Sequence, residues 1–141
     1  MYHFFTFFLF AVCGMALADE ATVPQFKNPP LKYTIHKTIG GANADPNGTA
    51  VVDRLLIGDQ TKEKLTFWFY LYGPNFHICS MTGNAVSVSP STYQYTEGNC
   101  QLRITTITDG IEIEDVGGQC KASGNCGSRA YIGKITFRNG G

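Results

Sequence analysis

Residues 65–72, Leu-Thr-Phe-Trp-Phe-Tyr-Leu-Tyr, alternate strictly: Leu65, Phe67, Phe69 and Leu71 fall on one face, and Thr66, Trp68, Tyr70 and Tyr72 on the other. A period of two is that of a β-strand, whose successive side chains point to opposite faces of a sheet. Large side chains on both faces predict a central strand, one face in the core and one under a loop. An aromatic binding face built on Trp68, Tyr70 and Tyr72 is the alternative.

Shorter alternating runs flank this one. Residues 33–39 set Tyr33, Ile35 and Ile39 against Thr34, His36 and Thr38, with Lys37 as the exception. Residues 49–57 carry Val51, Val52, Leu55, Leu56 and Ile57, broken by Asp53 and Arg54; a strand is expected, although a short helix fits the spacing of Val52, Leu55 and Leu56. Further strands are predicted at 76–81, 85–89, 92–96 and 100–108, with turns at Thr82-Gly83-Asn84, Ser-Pro-Ser and Thr96-Glu97-Gly98. Asp109-Gly110 carries the two-residue hairpin signal, followed by Ile111 and Ile113 on one face and Glu112 and Glu114 on the other. Residues 129–138 close the series, with Tyr131, Ile135 and Phe137 facing inward and Gly133 at a bulge.

About eight short strands in sequential order with turn-length connections define an all-β fold. The expected form is a small antiparallel up-and-down barrel or a sandwich. Sixteen Gly among 141 residues, with many Thr, Tyr, Ile and Phe, agree with strands and turns rather than helices. The domain is expected over residues 33–141, preceded by a flexible leader at 19–32 that contains three prolines.

Residues 1–18 read as a signal peptide: an apolar run from Phe4, then Ala16-Leu17-Ala18, then Asp19 and Glu20. The run is too short to span a bilayer, which takes about 20 apolar residues. Cleavage after Ala18 makes the protein periplasmic or secreted in a bacterium, with no transmembrane segment in the mature chain. A lipid anchor on Cys13 is the lesser alternative, because Phe10 and Val12 fit that pattern poorly. Eleven basic and eleven acidic residues balance, which supplies no electrostatic reason to bind nucleic acid or an anionic membrane.

Four cysteines remain after cleavage: Cys79, Cys100, Cys120 and Cys126. In an exported chain an even count implies disulfides, with three possible pairings. Cys79–Cys100, tying neighbouring strands, and Cys120–Cys126, stapling a Gly-rich loop, are the expected pair. Their spacing is not the close doublet that zinc prefers. Chemistry is sparse. Glu112 and Glu114 share a strand face, as on any solvated strand; His36 and His77 stand alone; and neither a nucleophile elbow nor a phosphate loop occurs. The expectation is a non-enzyme without cofactor or metal.

Thr82-Gly83-Asn84-Ala85-Val86, followed by Tyr95-Thr96-Glu97-Gly98, resembles the two loop motifs of the small periplasmic c-type lysozyme inhibitors, a Ser-Gly-x-x-Tyr/Val turn and a Thr-Lys-Gly turn. The resemblance implies an exported eight-stranded barrel whose two loops enter a lysozyme's active-site cleft. Thr82 and Gly83 would stand at the tip of the first loop, and Thr96, Glu97 and Gly98 at the second. The implied partner is a lysozyme or another envelope or extracellular protein. Two departures are visible: Thr82 replaces Ser and keeps the hydroxyl, whereas Glu97 replaces Lys and would be repelled by a cleft that works through carboxylates. Cys126-Gly127-Ser128-Arg129-Ala130 is similar to a Cys-Gly-x-Arg-Ala segment of uncharacterised exported bacterial proteins. The alternatives are a structural, envelope-associated β-domain and a barrel that holds an apolar ligand against Trp68, Tyr70 and Phe76.

Overall fold

The structure, a computed structural model, describes residues 23–40 and 47–140. The expected signal peptide, its cleavage site and Cys13 lie outside them. Eight strands follow one another: β1 (Leu31–Ile39), β2 (Thr49–Gly58), β3 (Lys64–Tyr72), β4 (Ile78–Ser89), β5 (Thr92–Glu97), β6 (Cys100–Ile107), β7 (Gly110–Asp115) and β8 (Lys134–Arg138). Each pairs antiparallel with the next in a single up-and-down sheet. The sheet curls into a nearly closed barrel: β8 comes back beside β1, without a hydrogen-bonded ladder between them among the described residues. Residues 49–57 are strand, not helix: all of them pair with β1, and Arg54 to Ile57 pair with β3 as well.

The alternation seen in the sequence fills the interior. Leu65, Phe67, Phe69 and Leu71 of β3 are buried together with Leu55 and Ile57 of β2, Leu102 and Ile104 of β6, Ile111 and Ile113 of β7 and Phe137 of β8. Burying one such side chain stabilises by roughly 1.5–3 kcal/mol. On the outward face of β3, Trp68 is only 4% exposed, and Tyr70 and Tyr72 are half-buried. The three rings run in sequence, Trp68 stacked on Tyr70 at 6.2 Å and Tyr70 edge-on to Tyr72 at 5.3 Å. This is the covered face, not an open aromatic one.

Several boundaries differ from expectation. Leu31 and Lys32 belong to β1 rather than to a leader, and Phe26 packs so closely on Gly58 that a Cβ there would stand 2.1 Å from its ring. The strand expected from Phe76 starts only at Ile78, because Phe76 ends a 3-10 turn, Pro74–Phe76. No turn forms at Thr82-Gly83-Asn84. β4 runs straight through, paired residue by residue with β3 from Tyr72↔Ile78 to Lys64↔Val86. Between β6 and β7, Ile107 pairs with Gly110, so the turn is centred on Thr108 and Asp109, neither at positive φ. Gly110 is required for another reason: a Cβ on it would lie 1.9 Å from the Phe137 carbonyl oxygen of β8. In the closing segment Tyr131 is 72% exposed and Ile132 is buried, because β8 starts only at Lys134, after Gly133 takes a positive φ of 63°.

Candidate functional site

An up-and-down barrel places alternate connections at one end. Here β1–β2, β3–β4, β5–β6 and β7–β8 share an end, and the longest described connection, residues 116–133, folds across it. Two disulfides hold that loop down. Cys79 at the start of β4 bonds Cys126, and Cys100 at the start of β6 bonds Cys120, with Cα–Cα separations of 4.0 and 4.3 Å. The expected Cys79–Cys100 and Cys120–Cys126 pairs are therefore wrong. Val86 pairs with Gln94, and extending that register puts Gly83 level with Glu97, which pairs with Cys100. Cys79 lies four residues beyond that level, about 13 Å along the strand, whereas a disulfide needs Cα atoms within about 7 Å.

The same register explains why the loop is needed. β5 stops short, so the first residues of β4 have no neighbour from β5. The loop supplies one: the Ser80 N–H donates to the Gly124 carbonyl and the Gly127 N–H to the Ile78 carbonyl, both at 2.8 Å. The buried Asp115 carboxylate accepts from the Cys120 N–H at 3.1 Å and fixes the loop's near side. The Cys-Gly-Ser-Arg-Ala segment is thereby accounted for. Cys126 forms the cross-link. Gly127 lies on His77, where a Cβ would be 2.8 Å from Nδ1, and Ala130 is buried against Gly73. Ser128 and Arg129 face out.

Of the residues expected at the site, Thr96, Glu97 and Gly98 do stand at an exposed tip, the β5–β6 turn, with Gly98 at φ 55°. Thr82 and Gly83 do not. Thr82 is an outward residue in the middle of β4 whose hydroxyl donates to the Phe67 carbonyl at 3.1 Å. Gly83 faces inward, and the Tyr95 ring occupies the place of its missing side chain. Tyr95 also meets Phe67 edge-on at 5.4 Å. Burial pushes the Tyr95 phenol above its ordinary value, and the charge and hydrogen bond of Glu97 push it the same way. The two motifs are thus neighbours through Gly83 and Tyr95, but only the second is a protruding loop.

Four more residues complete this end; of these only Phe76 was expected at a site, as part of an apolar-ligand wall. Phe76 is 42% exposed and holds φ 59° directly after Asn75 at φ 53°. A bulky residue in the left-handed region is a genuine outlier, of the kind that clusters at binding sites. Tyr131, also exposed, lies in a connection at the same end of the barrel. Lys37 and Asp53 turn inward from β1 and β2; Lys37 Nζ donates to Asp53 Oδ2 at 2.7 Å and to the Tyr72 carbonyl, and the Tyr72 N–H donates to Asp53 Oδ1 at 2.7 Å. The signals for this pair were Lys37 interrupting the alternation and Asp53 interrupting an apolar run.

The remaining candidates lie apart from one another or in ion pairs. Glu112 pairs with Lys134 at 3.0 Å and Glu114 with Arg103 at 3.2 Å, forming a cross-strand ladder on the outer face of β6, β7 and β8. His36 is exposed on β1, and His77 is half-buried beneath Gly127. Among the described residues no group of His, Cys, Asp and Glu is arranged to hold a metal ion, and no helix is long and apolar enough to cross a membrane. A scan against protein-family models finds no match to this chain, and searches of curated proteins and of solved structures find none either.

Proposed function

We propose that this protein is an exported protein-binding module that presents its disulfide-tied barrel end to a partner, in the manner of the lysozyme inhibitors that its two short motifs resemble. One observation carries the reading: the exposed Thr96–Glu97–Gly98 turn, Phe76 and Tyr131 all belong to one barrel end that two disulfides hold rigid. Exposed aromatic side chains are the usual anchors of protein interfaces. A platform already rigid loses little freedom on binding, which favours affinity. The disulfides support an oxidising compartment, and with the residue 1–18 pattern they support a periplasmic or secreted protein.

Thr82 and Gly83 act in this reading through the fold, by seating Tyr95 below the turn, and not by touching the partner. Glu97 selects against a cleft lined by carboxylates and for a basic rim. The test is lysis of bacterial cell walls by c-type lysozyme with the purified, oxidised protein. The natural protein inhibits weakly or not at all, and Glu97→Lys increases inhibition. Absence of inhibition by both proteins would remove the lysozyme reading. The wider reading is tested on a partner cross-linked in the host envelope: Phe76→Ala and Tyr131→Ala reduce its recovery, and unchanged recovery places the interface elsewhere.

A further inference from the structure

At the same barrel end, on the side where β1 and β8 meet, the mouth opens into a cleft of about 490 Å³. Small-molecule sites fall in this size range and occur in the mouths of β-barrels. Its apolar wall includes Leu71 and Ile132, both buried, with Ile39 and Ile135. Two lysines line it, Lys37 and Lys134, of which Lys37 comes from β1.

Lys37 occupies the inward-facing series of β1, where the other positions are Tyr33, Ile35 and Ile39. An inward lysine is costly unless it is paired. Asp53 and the Tyr72 carbonyl take two of its hydrogen bonds and lock the ammonium in place. An ammonium has three N–H donors. The Lys37 side chain is 32% exposed and lines the cleft, which leaves it accessible to a ligand there. The other lysine of the lining, Lys134, directs its ammonium to Glu112 at 3.0 Å on the outer face, so it does not compete as the polar head.

We propose that this mouth binds a small amphipathic carboxylate, with its anionic head on Lys37 and its aromatic or aliphatic body against Leu71 and Ile132. A carboxylate accepts a hydrogen bond from this ammonium and adds the Coulomb attraction of its own charge, which an alcohol or amide lacks. Among the described residues, Asp53 is the carboxylate paired with this ammonium. It neutralises part of the field, so recognition depends on the ammonium's fixed place and the apolar wall together. The site takes a small molecule and does not depend on a protein partner for the barrel end.

The experiment is an NMR titration of the oxidised protein with phenylacetate, with hexanoate and with uncharged 2-phenylethanol. Both carboxylates produce saturable shifts centred on Leu71, Tyr72 and Ile132, and the alcohol binds about tenfold more weakly. Because Lys37→Met alone leaves Asp53 buried without its cation, the decisive variant is the double replacement Lys37→Met/Asp53→Leu, which removes both charges and keeps an apolar interior. With its fold verified from the same spectra, this variant loses the preference for carboxylate over alcohol. The proposal is overturned by the absence of saturable shifts with either carboxylate, by shifts centred away from the cleft, by equal affinity for the alcohol, or by a carboxylate preference that survives in the double variant.

Discussion

Gly83 of β4 lies directly beneath the ring of Tyr95 of β5: a Cβ on the glycine would stand 2.6 Å from Cε2 of that ring. The glycine is there for close approach rather than for a turn. Its φ is not positive, and the strand pairs through it. Gly83→Ala therefore destabilises by about 1–3 kcal/mol through overpacking. Thermal unfolding measures this, and Tyr95→Ala in the same chain relieves part of the cost, a coupling that a double-mutant cycle reads directly. Additive effects of the two substitutions would show that the contact carries no energy.

The disulfides link residues 47 and 20 positions apart. In the chain-entropy account, closing loops of those lengths stabilises by about 4 and about 3 kcal/mol. Replacing both cysteines of the Cys79–Cys126 pair by Ala consequently lowers the denaturant midpoint more than replacing Cys100 and Cys120. Unreduced peptide mapping provides the prior check: Cys79 and Cys126 peptides are found joined, as are those of Cys100 and Cys120.

Asp53 is 2% exposed and accepts hydrogen bonds from both Lys37 and the Tyr72 backbone. Asp53→Ala leaves a partly buried ammonium and an N–H without an acceptor, at a cost of about 3 kcal/mol. The double variant Lys37→Met/Asp53→Leu is less destabilised than Asp53→Ala, since no cation is then stranded in the interior. Urea unfolding of the two variants ranks them.

Tyr95 titrates above its ordinary value, through burial first and then through the charge and hydrogen bond of Glu97. The raised value means that the folded state favours the protonated phenol. Its contribution to stability is fully present below the unfolded pKa of about 10 and is lost as pH rises through the higher folded value. Glu97→Gln removes the charge and moves Tyr95 back toward its ordinary value, leaving the effect of burial. Ultraviolet titration against a Tyr95→Phe control isolates this residue among the seven tyrosines. A Tyr95 titration unmoved by Glu97→Gln would show that the two side chains do not interact.

Alternation along the chain by itself determined the fold class and most of the core. Leu65, Phe67, Phe69 and Leu71 are all buried, and the connections at Pro90-Ser91 and Gly98-Asn99 fall where turn residues interrupt the period. These features are local, because a residue's face in a strand depends only on its neighbours in sequence. The tip at Thr96, Glu97 and Gly98 was legible for the same reason. What required tertiary structure was every property that depends on a group arriving from elsewhere. Thr82-Gly83-Asn84 has the composition of a turn, but β3 pairs with each of its residues and Tyr95 fills the gap at Gly83. Gly110 answers to the Phe137 backbone, and Lys37 to an aspartate on the next strand. Four cysteines specify that cross-links form, whereas the choice among pairings rests on inter-strand register. The short β5 leaves β4 open, the loop after β7 fills that edge, and only there do Cys79 and Cys100 meet Cys126 and Cys120.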